Sequence, residues 1–290
     1  MIGALPKSIL SSGKVILNQH NIEYEALASL SKSTNKLRSL IYRFVSQQMH
    51  IYEKYIYRKY NFLLQTFVSV IDKEKFEQEY KLYNTVLIPV GAEISDDCGV
   101  LENYNFLFVA KMSYPANEEG ALWLINEILP RVNKTLPDAK LYLVGKDPTD
   151  LIYDASKGNE NIIITGKVDS LDPFYKSCNL VVVPIMTGGG VNVKLLEALG
   201  YNKYVVTTSK GVEGTNFINS KHLFISDDPE EFANQCIEIL QHPSSEEFIR
   251  MKENTKQLIH KQYSWENIVN IYNDAINNKL SLQCDKGSET

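Results

Sequence analysis

The chain reads as an α/β protein whose larger, C-terminal part is a doubly wound parallel sheet, and three observations predict it. From residue 105 onward, short runs rich in Val, Ile and Leu alternate with helical periods, the order expected of βα units joined by right-handed crossovers. Glycines punctuate the ends of several runs, Gly145 and Gly166 among them. Residues 179–214, NLVVVPIMTGGGVNVKLLEALGYNKYVVTTSKGVEG, hold a whole βαβ unit: a Val-rich run suited to a strand buried on both faces, a glycine break, an apolar helix and a second strand.

Taken in order, residues 14–19 (KVILNQ) form a strand with His20 just beyond its end. Helices are predicted over 25–33 and 37–60, the second long and rich in tyrosine. Residues 66–71 give a strand, Asp72 an N-cap, and the helix it opens runs to about Leu82. Residues 86–89 make a further strand. The acidic, aperiodic stretch 95–104 is the linker, which separates a first lobe, 1–94, from a second domain, 95–262. There the spacing predicts strands at 105–110, 140–144, 161–165 and 222–226. It also predicts helices at 117–129 (ended by Pro130), 171–176, 229–241 and 245–262. Tyr263, Ser264 and Trp265 open a last amphipathic helix over 263–280, and 281–290 reads as a disordered polar tail. Three strands make a small first sheet, which leaves strand edges and an apolar face to be covered.

The βαβ unit carries the chemistry. Gly188, Gly189 and Gly190 have no Cβ and let backbone N–H groups approach a ligand. They feed a helix predicted from Val191, whose unpaired first-turn amides and dipole favour an anion. Val191, Val193, Leu195, Leu196, Ala198 and Leu199 make that helix apolar nearly all round, and Gly200 stands where a left-handed residue would end it. Lys194 and Glu197 interrupt the pattern, three apart and so on one edge. One reading is an i,i+3 ion pair at a solvated rim. The other sends Lys194 to a phosphate and Glu197 to ribose hydroxyls, which explains a cation in a turn whose dipole opposes it. His20 lies where ligands gather in open α/β sheets, although a lone His also serves as a structural hydrogen-bonder.

At these residues the chain resembles a family. GGGVNVKLLEALGYNKYVVTTSKGVEG is similar to the donor-binding segment of the retaining GT-B glycosyltransferases of group 1, or family 4, in the branch with a glycine run, Lys, Glu-Ala, a strand and a Gly-x-Glu-Gly loop. The resemblance implies a GT-B fold: one complete Rossmann-like doubly wound domain, C-terminal, and a partial N-terminal Rossmann-like lobe. It implies that the 263–280 helix returns to that lobe with Trp265 as anchor. Lys194 would meet the donor pyrophosphate and Glu197 the ribose, while His20, within QHNIEYEAL, would lie beside the donor sugar and phosphate. Many members carry a further Glu where this chain has Gly189. Backbone amides of the 188–190 run, bounded by Thr187 and Val191, would make the contact instead. Lys111, in VAKMSYPANEEGALWL, resembles a strand-end basic residue near the phosphates. The second basic residue usual in that loop gives way to Asn117, Glu118 and Glu119. Gly166, Lys167 and Val168 match the segment whose backbone meets the base.

Composition narrows the classes further. A net charge of −5 argues against nucleic acid as partner. Cys98, Cys178, Cys236 and Cys284 are scattered without a CxxC pair, which suits the cytoplasm and neither zinc nor a disulfide framework. No apolar run is long enough for a signal peptide or a membrane span. Lys32, Lys36, Arg38, Arg43, Lys54, Arg58 and Lys59 interleave with tyrosines, either as a face for anionic lipid at the inner membrane surface or as the solvated side of a helix whose tyrosines pack inward. No DxD motif holds a cation. The expected function is a metal-independent retaining transferase, with a UDP- or GDP-linked sugar as substrate rather than a resident cofactor. Its acceptor would be a saccharide or a lipid-linked one, in cell-surface polysaccharide or glycoconjugate synthesis. The alternative is a non-catalytic nucleotide-sugar-binding partner or truncated remnant that needs a second chain to complete the first lobe.

Overall fold

The computed structural model describes residues 6–31, 36–95, 99, 101–188 and 190–287. Contacts divide the chain into two compact units, one of Met1–Val90, Gly188–Val191 and Trp265–Thr290, the other of Gly91–Thr187 and Asn192–Ser264.

The first unit runs α1 (Lys7–Leu10), β1 (Ile16–Gln19), α2 (Glu23–Leu30), α3 (Lys36–Lys59), β2 (Leu64–Phe67), α4 (Val70–Tyr80) and β3 (Thr85–Leu87). Its three strands are parallel, in the order β1-β2-β3. Leu10, Ile56, Tyr57, Phe62, Phe67 and Phe76 form its core, with Tyr57 edge-on to Phe76 at 4.9 Å between ring centres. Tyr57 of α3 and Tyr60 just beyond its end thus face inward, while Tyr52 and Tyr55 are exposed. β2 begins earlier than the spacing predicts, and Asp72 does not cap α4. Ser69 does, its hydroxyl accepting from the Asp72 N–H at 3.4 Å. The apolar Val70 and Ile71 that extend the strand pattern belong to the first turn of the helix.

The second unit runs β4 (Asn105–Val109), α5 (Pro115–Trp123), α6 (Leu129–Thr135), β5 (Lys140–Val144), α7 (Asp150–Ser156), β6 (Ile162–Gly166), α8 (Asp172–Lys176), β7 (Leu180–Val183), α9 (Val193–Gly200), β8 (Tyr204–Thr207), β9 (Phe224–Ile225), α10 (Pro229–Gln241) and α11 (Glu246–Leu258). Its six strands are all parallel, in the order β6-β5-β4-β7-β8-β9. β7 and β8 are buried at every position, as strands covered on both faces must be. The order reverses between β4 and β7, the switch point where a doubly wound sheet opens a crevice for ligands.

Two helix ends and one whole helix differ from the sequence reading. Pro130 does not stop the helix. A widened i→i+5 turn over Leu124–Ile128 ends just ahead of it, and Pro130 sits in the first turn of α6, where its missing N–H costs nothing. α7, short and between a glycine and a polar run, escaped the periodicity. Gly200 is the last residue of α9 rather than its left-handed terminator, a conformation taken by Asn202. A Cβ at Gly200 would lie 2.1 Å from the Glu93 carbonyl oxygen, so close approach selects that glycine.

A second widened turn, Ile259–Tyr263, leads to α12 (Trp265–Gly287), grouped with the first unit. α12 continues past Lys279 to Gly287, so residues 281–287 are helical backbone rather than disordered tail. Trp265 is not an anchor, being 55% exposed; Tyr263 is buried, stacked on Phe217 and accepting from the Asn216 N–H at 3.2 Å.

Candidate functional site

The switch point gathers side chains from three connections. α5 follows β4, and its Asn117 is buried. The Asn117 amide donates to the Lys111 carbonyl at 2.8 Å, which fixes its orientation. Its oxygen accepts from the Lys194 ammonium at 2.6 Å. The same ammonium stands 5.6 Å from the centre of the Phe108 ring. Among the described residues no carboxylate lies within ion-pair distance of Lys194. Burial therefore pushes its pKa down to about 8. A cation held by a neutral amide and a ring face, at the first turn of α9, is electrostatically uncompensated.

Glu197 turns elsewhere. The i,i+3 ion pair is not formed: Glu197 is partly buried, and burial foremost raises its pKa. The neighbouring carboxylate of Glu93 adds to that rise, while Tyr175 opposes it. The Tyr175 hydroxyl is buried without an ideally placed hydrogen-bond partner among the described residues. Burial, then the nearby Glu197 charge, raises its pKa. Its ring stacks on Tyr201 at 4.4 Å, so a layer of tyrosine lies beneath the acid.

The loop after β7 is tied to α5 by the Thr187 hydroxyl, which donates to Glu119 at 2.9 Å. A Cβ at Gly120 would stand 2.4 Å from the Pro184 carbonyl oxygen, so α5 rides directly on the end of β7. Asn192, ahead of α9, donates through its amide to the carbonyls of Gly211 at 3.0 Å and Lys210 at 3.4 Å. The turn after β8, which contains Glu213, is thereby joined to the start of the helix. Lys111 itself is exposed, 3.7 Å from Asp147, an ion pair that water screens.

The structure does not bring every candidate into this cluster. Gly166 ends β6, the edge strand; its carbonyl accepts from the Gly145 N–H at 3.2 Å, and Lys167 beyond it is exposed. His20, exposed in the bend after β1, belongs to the first unit. Gly188, Gly190 and Val191 group with that unit, and a Cβ at Gly190 would lie 2.2 Å from Asn21 Oδ1. That oxygen is buried without a partner among the described residues. Gly189 lies outside the described residues. Asn117, Tyr175 and Asn192 are positions of the candidate site that pattern alone missed. The replacement of a basic residue by Asn117 was the available signal, since a buried lysine needs an acceptor.

Comparison with known proteins bears on this arrangement. Residues 103–242 match the family described as glycosyl transferases group 1. A 44.6 kDa protein in the cps region of Klebsiella pneumoniae is 30% identical over 242 residues, covering 80% of this chain and 61% of the relative. Among solved structures, TarM superposes with a TM-score of 0.66 at 12% identity, over 79% of this chain and 46% of TarM. HepE of Anabaena, in complex with UDP-glucose, gives 0.63 at 13% identity, over 92% of this chain and 72% of HepE. The chain thus spans 61% of the curated relative's length and less than half of TarM, and the likeness to the solved structures is one of fold.

Proposed function

We propose, from the match of residues 103–242 to glycosyl transferases group 1, that the chain is a retaining transferase moving a sugar from a nucleoside diphosphate to a saccharide or lipid-linked acceptor. One observation supports this most: the half-buried, uncompensated Lys194 ammonium at the sheet's switch point. In a water-poor crevice a fixed cation stabilises charge as it develops on a leaving diphosphate. Lys194 takes that role, helped by amides of the 188–190 run and by Lys111. Glu197 holds the ribose hydroxyls, His20 positions the donor sugar, and the backbone of Gly166, Lys167 and Val168 meets the base. No divalent cation is invoked, and a cell-surface polysaccharide or glycoconjugate is the product, in keeping with the cps-region relative.

Titration calorimetry of UDP and of GDP against wild type and Lys194→Ala tests the reading. We expect the preferred nucleotide to bind the variant about 10 to 100-fold more weakly, the loss of one charge-assisted contact. Equal binding by both proteins would remove Lys194 from the site.

The three-stranded sheet of the first unit, open at β1 and β3 among the described residues, supports a second reading: a nucleotide-sugar-binding subunit that a separate chain completes. Transfer or hydrolysis of a donor sugar by the purified chain alone eliminates it.

A further inference from the structure

α3 packs on one side and is apolar on both. Ser46, Glu53, Ile56 and Tyr57 are buried against the first unit. On the opposite side Leu37, Ile41, Phe44, Ile51 and Tyr55 recur at helical spacing. These five are 71%, 54%, 62%, 61% and 52% exposed. Leu40 and Tyr52 widen the stripe. The 24 residues of α3 extend over about 36 Å, so this is a long apolar surface, interrupted at mid-length by the exposed Gln48, of the kind that marks an interaction site.

Charge identifies what covers it. α3 contains Lys36, Arg38, Arg43, Lys54, Arg58 and Lys59, and its one acid, Glu53, is buried. The chain as a whole is acidic, so the strip is a cationic border on an anionic protein. Ile51, Lys54, Tyr55, Arg58 and Lys59 line a shallow depression at its C-terminal end. Of these, Lys54 also reaches Glu79 at 3.4 Å, and Lys59 bonds the Tyr55 hydroxyl. A second copy of α3 set against this face would oppose cation to cation. An apolar stripe bordered by Lys and Arg, with tyrosines at its margin, fits the boundary between anionic headgroups and acyl chains.

We propose that the outer face of α3 is a docking surface for an anionic lipid bilayer. Its apolar side chains enter the headgroup boundary, and its cations engage lipid phosphates. The proposal stands apart from the donor site, which is built on other elements.

Co-sedimentation of the full chain with phosphatidylcholine vesicles, with and without about 30% phosphatidylglycerol, tests it. Binding is expected to the anionic vesicles, weakened by salt. Arg58→Gln with Lys59→Gln should lower the partition coefficient about 30-fold, at about 1 kcal/mol per cation near the surface. Phe44→Ser with Ile51→Ser should abolish binding, with melting temperature and UDP affinity of both variants unchanged to show an intact fold. Equal binding to neutral vesicles overturns the proposal. So does the absence of anionic binding, or a concentration-dependent dimer that Phe44→Ser dissolves, which would assign the face to a second copy. UDP binding can fail while vesicle binding persists, and the reverse, so the two readings are separable.

Discussion

At the residue scale, the pair Lys194 and Asn117 sets the electrostatics of the candidate site. A lysine whose pKa falls to about 8 keeps its charge at neutral pH while standing ready to gain from an anion. In the unfolded chain the same group stays protonated into the ordinary lysine range. Between pH 8 and that range the unfolded state binds more protons, so this group's contribution to stability rises with pH. Ligand binding runs the other way, because the protonated form receives the diphosphate and a bound anion raises the pKa. The dissociation constant for UDP should climb by up to tenfold per pH unit above about 8 in wild type and stay flat in Lys194→Ala. Proton uptake, read from calorimetry in buffers of different ionisation enthalpy, checks the same point. Parallel profiles for the two proteins would contradict it. Gly120 offers a structural counterpart. Gly120→Ala forces a Cβ against the Pro184 carbonyl, where backbone must move, and a cost of about 2 kcal/mol or more is expected. Since α5 carries Asn117, UDP affinity should fall with the melting temperature. Unchanged stability would mean that α5 does not ride on β7 as described.

At the element scale, the central unit was legible because its signals agree: a Val run, a glycine break and a helix apolar nearly all round, ended by a glycine, leave little choice of element. The companion strands β4, β5 and β6 were legible for the same reason. The start of α4 was not, since Val68, Val70 and Ile71 continue a strand pattern while Ser69 supplies the cap. Capping is a hydrogen bond to one N–H and leaves no trace in hydrophobic spacing. Ser69→Ala should therefore destabilise the first unit by about 1 kcal/mol, measured by urea unfolding, while Asp72→Ala should have the smaller effect. The reverse ranking would restore Asp72 as the cap. Pro130 misled in the opposite direction: a proline reads as a stop, yet a widened turn ahead of it accommodates the missing donor. Hydrophobic spacing shows neither Asn117 nor Tyr175, because each meets its partner, Lys194 or Glu197, through a side chain that only the folded connections around β4 and β7 bring near.

At the scale of the whole molecule, the second unit is two short ribbons joined at a seam. β4 meets β7 through two registered pairs, Phe106 with Leu180 and Leu107 with Val181, whereas β4 and β5 share five. Each half can zip through nearby crossovers, but the seam must wait for chain distant in sequence to return, which makes it slow to close. Only the join of the edge strand β9 to β8 is as short, and the ammonium of Lys194, bonded to Asn117 and facing Phe108 of β4, stands beside this seam. A diphosphate lodged there would act as a rivet, formed after the transition state for folding and broken before escape from the native basin. Saturating UDP should accordingly slow unfolding in stopped-flow denaturant jumps while leaving the refolding limb in place. An accelerated refolding limb with unaltered unfolding would show instead that the seam closes early.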